Sequence, residues 1–113
     1  MHIDNYDFGE IMIDGKTYNS DVIIYKGVVD SSWHRREGHN LSLGDLAPVL
    51  DKKPEILVIG TGAEGVMHVP ADVVAAIEAK GISVIVKRTG DACDEYNELE
   101  GKKNTIAALH LTC

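Results

Sequence analysis

A glycine-rich loop in the middle of the chain has the spacing of a phosphate-binding turn. Gly60, Gly62 and Gly65 follow an apolar run in the pattern G-x-G-x-x-G. Such glycines let backbone N–H groups approach a pyrophosphate that rests on a helix N-terminus. A basic pair, Lys87-Arg88, follows the next apolar run, and its positive charges could attract the same anion. The candidate ligand-binding residues are Gly60, Thr61, Gly62, Gly65, Lys87, Arg88, Thr89 and His110.

The loop departs from a dinucleotide-binding site in two respects. The helix that follows begins only near Pro70, so its amides are displaced from the glycines. No acidic residue ends the next strand, where a ribose partner is expected, and Lys87 and Arg88 stand there instead. Glycines that serve a tight turn and close packing are therefore the favoured interpretation. Binding of a small anion is the alternative, and binding of a dinucleotide is the least favoured of the three interpretations.

The histidines and cysteines do not complete a catalytic or metal-binding set. His34 and His39 flank Glu37, but a zinc site requires four ligands, and no cysteine lies near them in the sequence. His110 and Cys113 have the residue types of a Cys–His nucleophilic pair, although no third group is evident to orient them. The sequence therefore names no catalytic residue, no metal site and no cofactor. Whether the chain is an enzyme stays open, with a non-catalytic role favoured.

The single tryptophan lies in a polar, aperiodic stretch over residues 33–40. Trp33 is typical of core or edge packing, and tryptophan is also enriched in protein–protein hot spots. Two arginines follow it closely and could extend a contact surface. The candidate interface residues are Trp33, Arg35 and Arg36.

The elements that must position these residues alternate in the second half of the chain, which predicts a β-α-β-α-β unit over 55–113. Right-handed crossovers then join parallel strands, so the loops after all three strands meet at one edge of the sheet. Open α/β sheets bind ligands at this carboxyl edge. The predicted strands are 55–59, 82–86 and 105–111, the first two as buried strands. The predicted helices are 70–80 and a segment from Thr89 or Asp91 to Glu100.

The first third of the chain, residues 1–40, is predicted to be rich in antiparallel β-hairpins. Asp14-Gly15 separates two apolar runs, and this pair tolerates the positive φ values of a type I′ turn. Lys26-Gly27 indicates a second tight reversal. Between the two halves, a short helix is predicted over 46–51 with Asp45 as its N-cap.

The bulk composition limits the class of protein. A chain of 113 residues fits one domain, here 1–113. The net charge of −7 is spread evenly and no basic run is present, so nucleic acid is not an expected partner. The apolar runs are far below the roughly 20 residues of a membrane span, and no signal peptide is recognised at the first residues. With two cysteines only, these features predict a cytoplasmic protein without a membrane partner.

The second half of the chain also resembles one protein family, over roughly residues 30–113. This is a small single-domain family of unknown molecular function, found in archaea, bacteria and eukaryotes. It includes a mitochondrial complex I assembly factor and an adipogenesis-associated domain-containing protein. The resemblance implies a three-layer α/β fold with a mixed central sheet, no established enzymatic activity and no known cofactor. It is carried by Leu57 to Gly62, Val69-Pro70, Gly81 to Val84, Thr89, Glu95 to Leu99 and His110 to Cys113, with Trp33, the arginines and His39 upstream.

Two hypotheses for function follow. The leading one is a non-catalytic binding or assembly module that contacts a protein partner through the carboxyl edge of the sheet and the Trp33 stretch. The alternative is a binder of a small anionic metabolite or nucleotide, or an enzyme acting on one, with the anion held by the Gly60–Gly65 amides. A homo-oligomer formed through an edge strand of the N-terminal β region is compatible with either.

Overall fold

The computed structural model describes residues 1–113, with the β-hairpins first and the alternating strands and helices after them. Residues 31–42 and 51–55, which flank a 3₁₀ turn and a single α-helical turn, join the two parts. The strands are β1 (Ile3–Asp7), β2 (Glu10–Ile13), β3 (Lys16–Tyr18), β4 (Val22–Tyr25), β5 (Val28–Asp30), β6 (Ile56–Thr61), β7 (Ser83–Lys87) and β8 (Thr105–His110). The helices are a 3₁₀ turn (Leu43–Leu46), α1 (Ala47–Leu50), α2 (Ala71–Glu78) and α3 (Thr89–Leu99).

The strands form two sheets. The smaller sheet is antiparallel, in the order β1-β2-β3, and the central sheet is mixed, in the order β5-β4-β8-β6-β7. In the central sheet β6 is parallel to both β7 and β8, while β4 is antiparallel to β8 and β5. The two predicted hairpin turns are present, because Asp14, Gly15, Lys26 and Gly27 all have positive φ angles.

The central sheet separates two hydrophobic cores, which gives the three layers of this α/β fold. Side chains alternate along β6, so Ile56 and Val58 face the small sheet and α3, whereas Leu57 and Ile59 face α1 and α2. The first core is closed by Ile3, Ile11 and Ile13 of the small sheet and by Ala92, Cys93 and Tyr96 of α3. The second contains Trp33, Leu41, Leu46, Val49, Met67, Val73 and Ile77. The predicted α/β class with a mixed central sheet is confirmed.

β7 differs from the prediction of a strand buried on both faces. It lies at the edge of the central sheet and pairs with β6 alone, and Val86 is 41 % exposed. The prediction was wrong because β8 inserts between β6 and β4, which leaves β7 outermost. Its β-branched composition resembles that of an interior strand all the same.

The helix predicted after residue 45 also begins differently. The segment first forms the 3₁₀ turn and then the single turn of α1. Asp45 lies inside the 3₁₀ turn, and its carboxylate accepts the backbone N–H of Ser42, three residues earlier. Ser42 is therefore the N-cap, and the assignment of Asp45 as N-cap was wrong by one turn. No helix has both the length and the apolar character that a membrane crossing requires.

Candidate functional site

The three parallel strands of the second half end at the same edge of the central sheet, which is called the carboxyl edge below. Gly60 pairs with Lys87 across β6 and β7, and Thr61 pairs with His110 across β6 and β8. The Gly60–Gly65 loop, the start of α3 and the end of β8 therefore lie side by side. The ends of the three strands therefore meet at one edge as predicted, while ligand binding at this edge stays a prediction.

Thr89 connects the loop after β6, the start of α3 and the end of β8. It is fully buried, and its hydroxyl donates to the carbonyl oxygen of His110 at 2.5 Å. The same hydroxyl accepts the N–H of Gly62 at 2.8 Å, and the Thr89 N–H donates to the Gly62 carbonyl. One threonine thus satisfies backbone groups from the loop after β6 and from the end of β8.

The Gly62, Ala63 and Gly65 amides of the glycine loop already have acceptors within the protein. Ala63 donates to the Thr112 carbonyl and Val66 to the Cys113 carbonyl, while Met67 donates to Thr61. A Cβ placed on Gly62, which has a φ of +105°, would lie 2.2 Å from the Cys113 carbonyl carbon. Gly62 is therefore required for the close approach of segment 111–113, which corresponds to the packing interpretation of the glycines.

The two basic residues after β7 point to different places. The Lys87 ammonium forms an ion pair with Glu95 of α3 at 2.7 Å, which directs it away from the glycine loop. The Arg88 side chain lies over Gly65, where an added Cβ would be 3.3 Å from Arg88 Cγ. Of the two candidates for an anion contact, only Arg88 adjoins the loop.

A buried polar cluster beside this edge was not found from the sequence. It consists of Asp21, which precedes β4, Arg35 from the Trp33 stretch, and His110, which ends β8. Arg35 Nη1 donates to Asp21 Oδ2 at 2.7 Å, and the Leu111 N–H donates to Asp21 Oδ1 at 2.8 Å. The side chains of Arg35 and His110 are each 6 % exposed. Arg35 and His110 had been singled out separately, but no local signal links either of them to Asp21.

The ring nitrogen Nδ1 of His110 lies between the two charged groups. It is 2.9 Å from Asp21 Oδ2 and 2.9 Å from Arg35 Nη2. Because Nδ1 has one hydrogen-bonding position in the ring plane, it donates to Asp21 when it carries a proton and accepts from Arg35 when it does not. The same aspartate and arginine can therefore hold this imidazole in either tautomer.

The cluster fixes Asp21 in its charged form. Burial by itself would raise the pKa of the Asp21 carboxyl, but hydrogen bonds from His110, the Leu111 N–H and Arg35 lower this pKa from 3.8 to about 2. Each carboxylate oxygen has at least one donor, which is the condition for a buried charge to be tolerated. The cluster joins the start of β4, the end of β8 and the Trp33 stretch through hydrogen bonds.

No hydrogen bond joins His110 to the half-buried Cys113 thiol, its partner in the Cys–His pair considered from the sequence. His110 is buried and held by Asp21 and Arg35, and its Nε2 lies 3.5 Å from the Thr112 hydroxyl. Cys93, the other thiol, is buried in the first core. Burial raises the pKa of the Cys93 thiol to about 12, which keeps it protonated and unreactive.

The Trp33 stretch packs into the protein, whereas an interface would require its side chains to be exposed. Trp33 is only 6 % exposed, and its indole N–H donates to the Asp45 carbonyl. The Arg35 guanidinium lies over the Trp33 ring at 4.8 Å from the centroid, so both residues are used within the protein. Among the three candidates, only Arg36 is exposed. An interface that uses Trp33 or Arg35 directly would require this segment to leave the core.

Two apolar side chains at the carboxyl edge are exposed, and neither was among the residues expected from the sequence to form a site. Phe8, the single phenylalanine, is 62 % exposed at the turn between β1 and β2, and Val66 is 46 % exposed. The turn is held in place because the Gly9 N–H donates to the Leu111 carbonyl at 2.8 Å and the Tyr6 hydroxyl donates to the same carbonyl at 2.7 Å. Val66 is bonded to the adjoining Cys113. A lone aromatic residue between turn residues is the sequence signal that could have indicated Phe8.

Comparison with known proteins places the fold and the family. The profile of the family described as "Protein of unknown function (DUF498/DUF598)" matches residues 3–110. A conserved hypothetical protein, PH1505, from Pyrococcus horikoshii OT3 is 31 % identical, with a TM-score of 0.85 and complete coverage of both chains. A protein of Bartonella henselae described as an outer membrane protein is 24 % identical, with a TM-score of 0.82, and the match covers 98 % of this chain and 94 % of that one. The latter likeness shows the fold alone.

One curated relative carries a functional name. "NADH dehydrogenase [ubiquinone] 1 alpha subcomplex assembly factor 3" of Xenopus tropicalis is 28 % identical over 109 residues, which is 96 % of this chain and 59 % of the relative. The chain therefore spans about three fifths of the length of that relative. These similarities agree with the family resemblance noted in the sequence.

Proposed function

Because the chain belongs to the family described as "Protein of unknown function (DUF498/DUF598)", which has an assembly factor among its relatives, we propose that it is a non-catalytic protein-binding module of the assembly-factor kind. Its docking surface is the carboxyl edge around Phe8 and Val66. The exposed Phe8 carries the proposal. An exposed aromatic side chain on a rigid support loses little conformational entropy on binding and can act as an anchor.

The hydrogen bonds beneath the Phe8 surface favour the docking of a partner over catalysis. The Leu111 carbonyl accepts from Gly9 and Tyr6, and the Asp21–Arg35–His110 cluster holds the same end of β8 from the other side. The surface is therefore preorganised, which reduces the ordering cost of binding. The imidazole and guanidinium of the cluster are buried, so their role in this proposal is to stiffen the edge.

The small-anion alternative has weaker support. The Ala63 and Val66 amides already donate to Thr112 and Cys113, so an anion held by these amides would have to displace segment 111–113. Arg88 is the one basic side chain of the candidate set that adjoins the loop. The docking proposal requires no such rearrangement.

The test is affinity purification of the full chain from a lysate of its native cells, with quantitative mass spectrometry. We expect a reproducible protein partner whose recovery falls by roughly tenfold or more in the Phe8→Ser variant, because loss of a hot-spot side chain costs about 2 kcal/mol or more. Val28→Ser is the matched control, since Val28 is also 62 % exposed but lies on β5. Equal recovery by the two variants, or no specific partner with the unaltered chain, would contradict the proposal.

A further inference from the structure

The four outer strands of the two sheets differ in how well they are protected from pairing with another strand. In β1 the register is broken between Ile3 and Asn5, and the Asn97 side chain bonds both the N–H and the carbonyl of Ile3. β3 and β5 have only three residues each. Bulges, side-chain caps and shortness are the usual devices that prevent edge-to-edge association.

β7 has none of these devices. It is five residues long, pairs with β6 in an unbroken register and contains no proline. Three consecutive β-branched residues, Val84, Ile85 and Val86, form its centre. The single charged residue, Lys87, stands at its end and is paired with Glu95. The composition is that of an interior strand, although the isolated chain leaves it at the edge.

The backbone of β7 presents four unpaired groups on its open side. The Ser83 N–H donates to Glu55, and the Lys87 carbonyl accepts from Thr61, so both residues face β6. Because the backbone groups of a strand alternate in direction, Ile85 also faces β6. The N–H and carbonyl groups of Val84 and Val86 therefore point away from the sheet.

We propose that β7 is the interface at which two copies of this chain form a symmetric dimer with one continuous central sheet. An antiparallel arrangement with Ile85 on the twofold axis places Val84 opposite the partner's Val86. Each of these pairs exchanges two hydrogen bonds, so all four unpaired groups of both copies find partners. The apolar side chains also match, since valine meets valine and isoleucine meets isoleucine across the axis.

The local charge affects this association, since the net charge is −7. Lys87 neutralises Glu95, the α3 carboxylate that it contacts at 2.7 Å. Asp91, Asp94 and Glu98 of α3 lie around the same lysine, so the dimer should be stronger at higher salt, where the repulsion between like charges is screened. The proposed dimer edge is separate from the Phe8 surface, and the two proposals can fail independently.

Sedimentation velocity of the full chain over a range from about 10 µM to about 1 mM tests the proposal directly. We expect the mass to rise from 12.3 kDa towards twice that value. Val86→Pro removes an outward N–H without breaking a bond to β6, and Val86→Lys adds an edge charge. Each should weaken dimerisation by about tenfold or more, whereas Val28→Lys on β5 should leave it unchanged. A chain that stays monomeric throughout, or a dimer insensitive to both Val86 changes, overturns the proposal.

A covalent test identifies the axis. Opposed residues in a non-hydrogen-bonded antiparallel pair have Cα atoms about 4.5 Å apart, within the range of a disulfide. An Ile85→Cys variant in a Cys113→Ser background should therefore form a covalent dimer on oxidation, whereas Val28→Cys in the same background should not. Equal cross-linking of both variants would overturn the assignment of the axis. Phe8→Ser should dimerise normally, which separates this interface from partner docking.

Discussion

Asp21 is the residue whose environment depends most on the tertiary structure. Its carboxylate receives donors from Arg35, His110 and the Leu111 N–H, which lie 14, 89 and 90 positions away in the sequence. Removing one member of a buried charged group leaves the others without a partner, and this usually costs more than the intact interaction contributes. The cluster is therefore a point at which a single substitution should loosen the whole carboxyl edge.

The low pKa of Asp21 makes the stability of the protein depend on pH. Since this pKa is about 2 in the folded state and 3.8 ordinarily, the unfolded state binds more protons between these values. The contribution, about 2 kcal/mol, is present in full above about pH 4 and is lost as the pH falls towards 2. Urea unfolding at a series of pH values down to about 2 should show this loss.

The Asp21→Asn variant provides the check on that assignment. It should be less stable near neutral pH by about 2 kcal/mol or more, and the acid-dependent part of its stability should be smaller than in the unaltered chain. Glu64→Gln, at an exposed loop position, is the control and should keep the acid dependence. If Asp21→Asn lost stability with acid as steeply as the unaltered chain, Asp21 would not be the responsible group.

At the scale of elements, the junction between β7 and α3 coordinates three strand ends. Thr89 is the first residue of α3, and its hydroxyl bonds backbone groups of the loop after β6 and of β8. A Cβ on Gly60 would lie 2.8 Å from this hydroxyl oxygen, so the glycine permits the approach. The glycine loop and the first residue of α3 therefore pack in close contact.

The Thr89→Val variant should lower the free energy of unfolding by about 3 kcal/mol. Valine keeps the shape but leaves the Gly62 N–H and the His110 carbonyl unpaired in a buried place, at about 1–3 kcal/mol for each group. Thr89→Ser retains the hydroxyl and should cost about 1 kcal/mol for the lost methyl group. Denaturant titrations of the two variants measure the difference, and equal losses would show that the hydroxyl bonds contribute little.

At the scale of the whole molecule, the two cores share the central sheet. β6 and β8 supply alternate side chains to both cores, so neither core can lose its sheet while the other persists. Two-state unfolding is the expected behaviour of such a small, shared-sheet protein. The β1–β2–β3 sheet contributes side chains to the first core alone.

This expectation can be tested with one substitution and two probes. Ile11→Ala, at a fully buried position in the small sheet, should cost about 3 kcal/mol. Trp33 fluorescence reports the opposite core, and far-UV circular dichroism reports the strands and helices together. Both transitions should move to the same lower denaturant concentration. A shift of the circular dichroism transition alone would mean that the small sheet unfolds separately.

The sequence by itself determined the features that arise from a few adjacent residues. Asp14-Gly15 and Lys26-Gly27 specified their hairpin turns through positive φ angles, and the apolar run before Gly60 specified β6. Alternating strands and helices with short connections were enough to bring the ends of β6, β7 and β8 to one edge. These features need no knowledge of distant residues, because backbone preference and hydrophobic period act locally.

Only the tertiary structure decided the contents of that edge. The burial of Trp33, the meeting of Asp21 with Arg35 and His110, and the exposure of Phe8 all depend on which segments pack together. The position of β7 depends on the insertion of β8 beside β6, which its own five residues do not encode. Local sequence specifies the form of each element. The order of strands and the partners of buried polar groups follow from the arrangement of the whole chain, which buries apolar surface while it pairs most buried polar groups.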